Sequence, residues 1–389
     1  MKKKRILALF LAAVSCLSLA VSASAAGTTT RKATDFKDYD RSAWYAEAVS
    51  AAVDNGLLYG KSATVIDPNG DMTRAEMAAI INRSFGCYKT ADISQYKDVS
   101  KSAWYYKDVA LAVQMGTYNG RSSSAMAPDA PISRQEAMTV VARALELDYD
   151  AYAKTDLSKF ADRDKISAWA LPYIRAMVGA DYIHGRGKNL APLDNITRAE
   201  FAQIFANIIG SYITVKGSYD KDIKGSVLIR TDDVTLQNMT VDGDLIIGCG
   251  AADGKITLDN VTVTGRLLVW GGGTKAVYCN AGTNMPAVVV ARVDDAVKVI
   301  YDRDSTLAVI DTIKVRITER AKAFKETEVV FYDVSGLREA QKQLNAIVAD
   351  NQIAVVAPAH LYAIVGEQSV KAEFTNNSKR YNVYRIMYL

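Results

Sequence analysis

The sequence predicts a multidomain chain: an all-α domain of three repeats, then a parallel β-solenoid (a β-helix), then a small α/β cap. Three observations carry that prediction. Tryptophan, glycine, proline, arginine and glutamate recur at fixed spacings three times in the first half. After Gly210 the texture changes to short β-rich segments. Within these, Val234 to Ile247 returns 22 residues later as Ile256 to Val269.

The chain opens on Met1-Lys2-Lys3-Lys4-Arg5, an apolar run from Ile6 to Val14, and Ser22-Ala23-Ser24-Ala25-Ala26. This order matches the n-region, h-region and small-residue site of a secretory signal peptide, with cleavage expected after Ala25. The apolar run is too short and too rich in Ser and Ala for a membrane anchor. A lipobox ending at Cys16 is a poorer match, because Ala13-Val14-Ser15 precedes it and apolar residues continue past it. The 47 basic residues outnumber the 43 acidic ones by the four of this leader, so the mature chain is formally neutral. That argues against nucleic acid or an anionic membrane as a bulk electrostatic partner. About 360 mature residues suggest two or three domains.

Cys87, Cys249 and Cys279 remain after cleavage, too few for a disulfide framework in a chain of this size. Cys249 with Cys279 could bridge. The favoured expectation is three buried free thiols.

In the repeats, Trp44, Trp104 and Trp169 are each followed sixteen residues later by Gly60, Gly120 and Gly185. Pro68, Pro128 and Pro192 come next, then Arg74, Arg134 and Arg198 six residues on, and Glu76, Glu136 and Glu200 two beyond those. An aromatic-x-Asp precedes each tryptophan: Phe36 with Asp38, Tyr96 with Asp98, Phe160 with Asp162. Each copy reads as helix, loop, helix. The first helix carries an apolar stripe, Trp44, Ala48, Ala51 and Ala52 in copy one and Val109, Ala112 and Val113 in copy two. It ends near Gly56 or Gly116, natural positions after a helix.

The second helix opens with Thr73-Arg74-Ala75-Glu76, Ser133-Arg134-Gln135-Glu136 or Thr197-Arg198-Ala199-Glu200. Each is a capping box, which accounts for the Thr or Ser and the Glu. It leaves the arginine unexplained, since a cation in the first turn opposes the helix dipole. An anion held by free amides and the guanidinium would explain it. The competing reading pairs each arginine with Asp38, Asp98 or Asp162. The tryptophans read first as core, with a flat face for a sugar ring as the alternative. The glycines answer backbone needs, a turn or a close approach.

These repeats resemble S-layer homology domains, whose pattern is aromatic-x-Asp, Trp, a Gly-rich turn, Pro and Thr-Arg-Ala-Glu. The resemblance covers roughly residues 35 to 210, with copies at 35–90, 95–150 and 158–210. It implies a pseudo-threefold spindle with one helix from each repeat in a central bundle. It also implies grooves between neighbouring repeats that bind secondary cell-wall polymer, often bearing a pyruvate ketal. The groove residues it implies are Arg74, Arg134 and Arg198; Asp38, Asp98 and Asp162; Trp44, Trp104 and Trp169; and Gly60, Gly120 and Gly185.

Copy three departs from the pattern. Asp181 stands where Gly56 and Gly116 stand, and Asn207 where Arg83 and Arg143 stand. One residue is gained between Asp162 and Trp169, and one lost between Gly185 and Pro192. One of three grooves is therefore expected to be weak or empty, without the sequence saying which.

The 22-residue return aligns Leu236 with Leu258, Asn238 with Asn260, Val241 with Val263, Gly243 with Gly265 and Leu245 with Leu267. Such a period with alternating apolar residues marks stacked rungs. Looser copies follow at 277–279, 288–290, 297–300, 307–310 and 315–317, giving four to five rungs of a right-handed β-helix over 213–320. Asn238 and Asn260 are expected to stack as a ladder. The Gly271-Gly272-Gly273 run lacks the Lys-Ser/Thr of a phosphate loop and reads as a turn. From 321 to 389 the sequence suggests a strand at 329–332, an amphipathic helix at 337–349, a strand at 353–357 and another at 381–388. This cap is expected to cover the exposed end rung.

An enzyme built on a β-helix needs acids converging on one face. Here Asp242 aligns with Thr264 and Asp244 with Arg266, and Asp253 and Asp259 fall at different rung positions. The Asp294-Asp295 and Asp302/Asp304 spots read as turns. His184 and His360 lie in different domains, which leaves no His-based triad or zinc site. The expectation is a non-catalytic, monomeric surface protein, secreted and wall-bound, without cofactor or metal. Its partner would be the wall polymer, with a surface protein or polysaccharide for the C-terminal region. A wall-anchored polysaccharide-degrading enzyme is the alternative, and a lattice-forming protein a weaker third.

Overall fold

The computed structural model describes residues 31–273, 277–280, 282–303, 314–324 and 327–333, and four short strands beyond them. The expected signal peptide, the 307–310 rung, the 337–349 helix and the 353–357 strand lie outside the described residues.

The first half holds six helices: α1 (Ala46–Asp54), α2 (Arg74–Phe85), α3 (Tyr106–Met115), α4 (Arg134–Ala144), α5 (Leu171–Gly179) and α6 (Arg198–Ile208). The second helix of each repeat starts at the predicted capping box, and all three boxes are closed in both directions. Ten of the twelve α2 residues are buried, Arg74 among them. A helix buried almost all round belongs at the centre of a domain. There α2, α4 and α6 form the bundle, and α3, α5 and α1 pack outside them, each on the preceding repeat's inner helix. Since α1 packs on α6, the three repeats close into a ring within one chain.

Backbone hydrogen bonds tie that ring at its axis. Met72 N–H donates to Ile196 O (3.0 Å), Ile196 N–H to Ile132 O (3.1 Å) and Ile132 N–H to Met72 O (2.9 Å). The threefold expectation thus appears as a closed triangle of bonds between residues that precede the three capping boxes.

The outer helices begin later than the apolar stripe suggested. Trp44, Trp104 and Trp169 lie in the turn before α1, α3 and α5, outside the helical stripe. The Gly56 and Gly116 positions adopt left-handed backbone, and Asp181 takes the same conformation in copy three (φ 61°).

No linker separates the two halves, because α6 runs directly into β1 (Ile209–Ile213). One parallel sheet continues through β4 (Ser226–Ile229), β6 (Leu245–Ile247), β8 (Arg266–Val269), β10 (Ala287–Val290) and β12 (Lys314–Ile317). The other contains β2 (Gly217–Tyr219), β5 (Val234–Asp242), β7 (Ile256–Val263), β9 (Val277–Cys279), β11 (Lys298–Arg303) and β13 (Glu328–Asp333), with β3 (Ile223–Lys224) beside β5. The chain alternates between the sheets and makes a solenoid of about four turns.

The register matches the sequence period, with Leu236 opposite Leu258 and Val241 opposite Val263. Asn260 Nδ2 donates to Asn238 Oδ1 at 2.9 Å, and both residues take positive φ. The ladder therefore also marks a rung corner where left-handed backbone suits asparagine. Asp302 lies in β11 rather than a turn.

Past the last rung, β15 (Glu373–Asn376) and β16 (Lys379–Asn382) extend one sheet. The other is extended by β17 (Arg385–Tyr388) and β14 (Leu361–Ile364). The segment expected to form one strand at 381–388 thus contributes to two. Both outermost strands pair antiparallel, at the end the cap was expected to cover.

The two domains share a core. Along β4, β6, β8 and β10, side chains alternate between two apolar clusters. Val227, Leu245, Leu267 and Val288 fill the solenoid, whereas Leu228, Ile246, Leu268 and Val289 join the core of the helical domain. By contrast, β5 alternates buried and accessible residues, as a sheet with one solvated face does.

Polar contacts finish the interface at the helix C-termini, whose last carbonyls lack helical partners. Arg230 donates to the carbonyls of Arg83 and Asn55, Trp270 Nε1 to Ala144 O (2.9 Å), and Arg266 to Leu145 O (2.7 Å) and Glu146 O (2.8 Å). Arg266 also holds the buried Asp244 carboxylate at 2.9 Å. Cations and donors at these ends also suit the helix dipole.

Candidate functional site

At each helix start the amides are already taken. Arg74 N–H donates to Ala130 O (3.0 Å) and Ala75 N–H to Pro128 O (2.9 Å), both in the next repeat, while Glu76 N–H donates to Thr73 Oγ1. The same set recurs at Arg134, Gln135 and Glu136 and at Arg198, Ala199 and Glu200. The expected anion on free helix-start amides is thus replaced by neighbouring carbonyls, because ring closure drives each loop onto the next helix.

The arginines are buried and belong to a cyclic network. Arg74 reaches Glu136 (2.9 Å), Arg134 reaches Glu200 (3.2 Å) and Arg198 reaches Glu76 (3.4 Å). Their Nε atoms donate to Met126 O, Leu190 O and Ile66 O, each at 2.9 Å. The partner acid is therefore the capping glutamate of another repeat, not Asp38, Asp98 or Asp162. A second cation holds each glutamate: Lys61 on Glu76, Arg121 on Glu136 and Arg186 on Glu200. These cations escaped the sequence reading. Their signal is a basic residue directly after Gly60, Gly120 and Gly185 in all three copies.

The aspartates support the loop. Asp38 accepts from the amides of Ile66 (2.9 Å) and Asp67 (2.7 Å), Asp98 from Met126 and Ala127, and Asp162 from Leu190 and Ala191. Asp67, Ala127 and Ala191 have φ near +50° and precede the prolines. A paired carboxylate thus stabilises an uncommon backbone conformation in each copy. The glycines permit close approach to the repeat aromatic. A Cβ on Gly120 would stand 2.5 Å from Tyr96 Cε1, and one on Gly185 2.8 Å from Phe160 Cε1; Gly60 abuts Phe36 likewise.

The tryptophans are not core. Trp44 is 63%, Trp104 61% and Trp169 50% exposed. Trp44 and Trp104 meet the buried Tyr45 and Tyr105 edge-on, at 5.6 and 5.4 Å between ring centres.

One groove brings together Trp169, Arg74, Asn119, Gly120, Arg121 and Arg143, floored by Glu136, Thr139 and Val140 of α4. Of the residues that the family resemblance implied, this groove contains Arg74, Gly120 and Trp169. In the sequence Arg143 stands out only as the residue that copy three replaces with Asn207. Its guanidinium lies 4.9 Å from the Tyr173 ring centre, and Arg83 lies 4.0 Å from that of Tyr59. Turning the ring carries this set onto Trp104 with Glu76, Lys61, Arg83 and Arg198, and onto Trp44 with Glu200, Arg186, Asn207 and Arg134. In the third set Asn207 is neutral, and Arg186 is also bound by Asp194 at 3.0 Å.

Burial alone would raise the carboxyl values of Glu76, Glu136 and Glu200. The cap hydrogen bonds and paired cations outweigh it, and all three lie below the ordinary value of 4.5. Groups depressed in the fold stabilise it above their unfolded value, and that contribution is lost as pH falls through the folded value. The melting temperature of the helical domain is expected to stay level from about pH 7 to 5 and fall below about pH 4. Thermal unfolding across that range, followed by circular dichroism at 222 nm, checks it.

Among the described residues no helix is long and apolar enough to cross a membrane, and no group of three or more His, Cys, Asp or Glu could hold a metal.

Residues 35–78, 95–138 and 159–202 match the S-layer homology domain. The chain is 34% identical over 182 residues to the surface-layer 125 kDa protein of Lysinibacillus sphaericus, covering 46% of this chain and 15% of that one. It is 24% identical over 210 residues to an endoglucanase of a Bacillus species, covering 53% and 22%. It is 28% identical over 154 residues to the cellulosome-anchoring protein of Acetivibrio thermocellus, covering 37% and 33%. The chain therefore spans at most a third of the length of these relatives. The three repeats are S-layer homology domains, which imply anchoring to the cell wall. With the surface-layer relatives they indicate a secreted protein of the cell-wall surface.

Proposed function

We propose that this chain is a non-catalytic surface protein that holds secondary cell-wall polymer, an anionic and pyruvylated glycan, and displays its solenoid from the wall. The observation that carries the reading is the groove in which the exposed Trp169 shares a wall with Arg121 and Arg143. An aromatic face suits the apolar side of a sugar ring, and guanidinium groups suit a carboxylate. Repetition of this set around one ring would raise retention through effective concentration.

Three acids of the solenoid fit a structural role. Arg266 holds Asp244, and the fully buried Arg292 holds Asp253 (2.6 Å) and Asp294 (2.8 Å). The alternative is a wall-anchored polysaccharide-degrading enzyme with the solenoid as catalytic domain, a reading favoured by the endoglucanase among the relatives. New reducing ends on incubation with purified wall glycan would establish it.

The test of binding is co-sedimentation of residues 26–389 with native sacculi and with sacculi stripped of secondary polymer. Its control is a Trp44→Ala, Trp104→Ala, Trp169→Ala triple variant, chosen because exposed side chains can be removed with little cost to folding. The protein is expected to pellet with native sacculi only, and the variant to stay in solution. Equal pelleting with stripped sacculi, or of the variant, would overturn the reading.

A further inference from the structure

We propose that Cys87 and Cys249 join as a disulfide that locks the anchoring domain to the solenoid. The two are 162 positions apart in sequence, yet their Sγ atoms stand 3.5 Å from each other across the domain interface. A disulfide requires about 2.05 Å between sulfurs, so they need to close by roughly 1.5 Å, within reach of side-chain rotation. The bridging partner of Cys249 is thus Cys87, not Cys279. Cys279 is fully enclosed in the solenoid core, while Cys87 and Cys249 are only half-buried. All three cysteines stand as free thiols, as expected, but only Cys279 is fully buried.

The surrounding backbone is built for this approach. Gly86, the left-handed residue that ends α2 (φ 68°), precedes Cys87, and Gly248 and Gly250 flank Cys249. A Cβ on Gly86 would stand 2.8 Å from Gly250 Cα, and one on Gly248 2.6 Å from Phe85 O. Side chains at these glycines would push the helix end off the solenoid corner and part the sulfurs. The thiols open onto a crevice lined by Tyr88, Leu111, Gln114, Trp270 and Asp294.

At the cell-wall surface the surroundings are oxidising. The hydrogen bond with Cys249 and burial hold the Cys87 thiol well above its ordinary value. The oxidant is a disulfide, R–S–S–R, of a small thiol or a dithiol oxidase. One cysteine loses its proton and attacks R–S–S–R, forming a mixed disulfide and expelling one thiolate, which takes that proton. The second cysteine attacks the mixed disulfide at the protein sulfur and releases the second R–SH. Two electrons and two protons pass from the protein to R–S–S–R, which leaves as two R–SH.

The test treats the purified mature chain with oxidised glutathione, caps remaining thiols with iodoacetamide, and reads intact mass and a peptide map. The expected result is a loss of two hydrogens and one cross-linked peptide pair containing Cys87 and Cys249. That pair persists in Cys279→Ser and is absent from Cys87→Ser and Cys249→Ser. The oxidised chain is expected to melt several degrees above the reduced one. Iodoacetamide capping of both Cys87 and Cys249 after oxidation, or linkage of either to Cys279 or to a second chain, would overturn the proposal. The wild-type map gives that answer whether or not the serine variants fold.

Discussion

Replacing Arg134 by alanine is expected to lower the stability of the helical domain by about 3 kcal/mol, the low end for breaking a buried pair. Arg134 is 5% exposed and spans two repeats, with Nε on Leu190 O and Nη1 facing Glu200. Its loss strands the Leu190 carbonyl and leaves a void where the repeats meet. The effect stays at the low end because Glu200 keeps Arg186 as a second partner. Arg198, which serves the carbonyls of Ile66 and Tyr59 as well as Glu76, is expected to cost at least as much. Lysine restores little at either site, since a point cation cannot meet several acceptors in a plane. Urea unfolding of the Arg134→Ala and Arg134→Lys chains measures this, with the slope unchanged and the midpoint lowered. A midpoint close to that of the parent would mean the ring of ion pairs is energetically neutral and the arginine is free to serve a ligand.

The second large effect concerns unequal grooves. Trp104→Ala and Trp169→Ala are each expected to weaken wall retention roughly tenfold, the equivalent of about 1.4 kcal/mol. Trp44→Ala is expected to cost less than about threefold. By the threefold repeat, Trp44 corresponds to the set in which Asn207 replaces the arginine found at Arg83 and Arg143, and in which Asp194 competes for Arg186. Asn207 itself is engaged with Gln203 (2.8 Å) and the Tyr182 carbonyl. An Asn207→Arg chain is expected to bind sacculi more tightly than the parent, as a third guanidinium joins the set. Sedimentation titrations with sacculi rank the four variants. Equal losses at the three tryptophans, or no gain from Asn207→Arg, would show that the guanidinium at this position does not set affinity.

What the sequence makes legible follows from what is local. Capping boxes involve residues three apart, so Thr73, Ser133 and Thr197 announce their helices, and the structure starts each helix there. The solenoid period is legible because stacked rungs repeat the same chemistry 22 residues on, and Asn238 over Asn260 appears as read.

The role of the capping-box arginines is not legible, because their partners lie 45 to 139 positions away and exist only once the ring closes. A helix-start cation without a local partner invites an anion, and only the closed ring shows that Ala130 and Pro128 carbonyls occupy those amides. The tryptophans read as core because large aromatics dominate cores, and Trp44 also fits the apolar stripe of the first helix. They escape it by lying one turn ahead of α1, α3 and α5. The docking of the two domains did leave a signal. Leu245-Ile246-Ile247, Leu267-Leu268-Val269 and Val288-Val289-Val290 are apolar at every position, as strands buried on both faces are. A solenoid with one wet face everywhere would have alternated.

The direct passage from α6 into β1 sets how a pull on the solenoid reaches the wall. A flexible tether would absorb the first tens of ångströms of extension as slack. Here Ile208 and Ile209 are consecutive residues of a helix and a strand, and arginines 230 and 266 grip the ends of the neighbouring helices. Drag on the outer end therefore acts through a stiff lever. The torque is shared by a whole interface rather than carried by one peptide segment, and the inner helix that ends at the solenoid is the one whose first turn closes the ring of ion pairs.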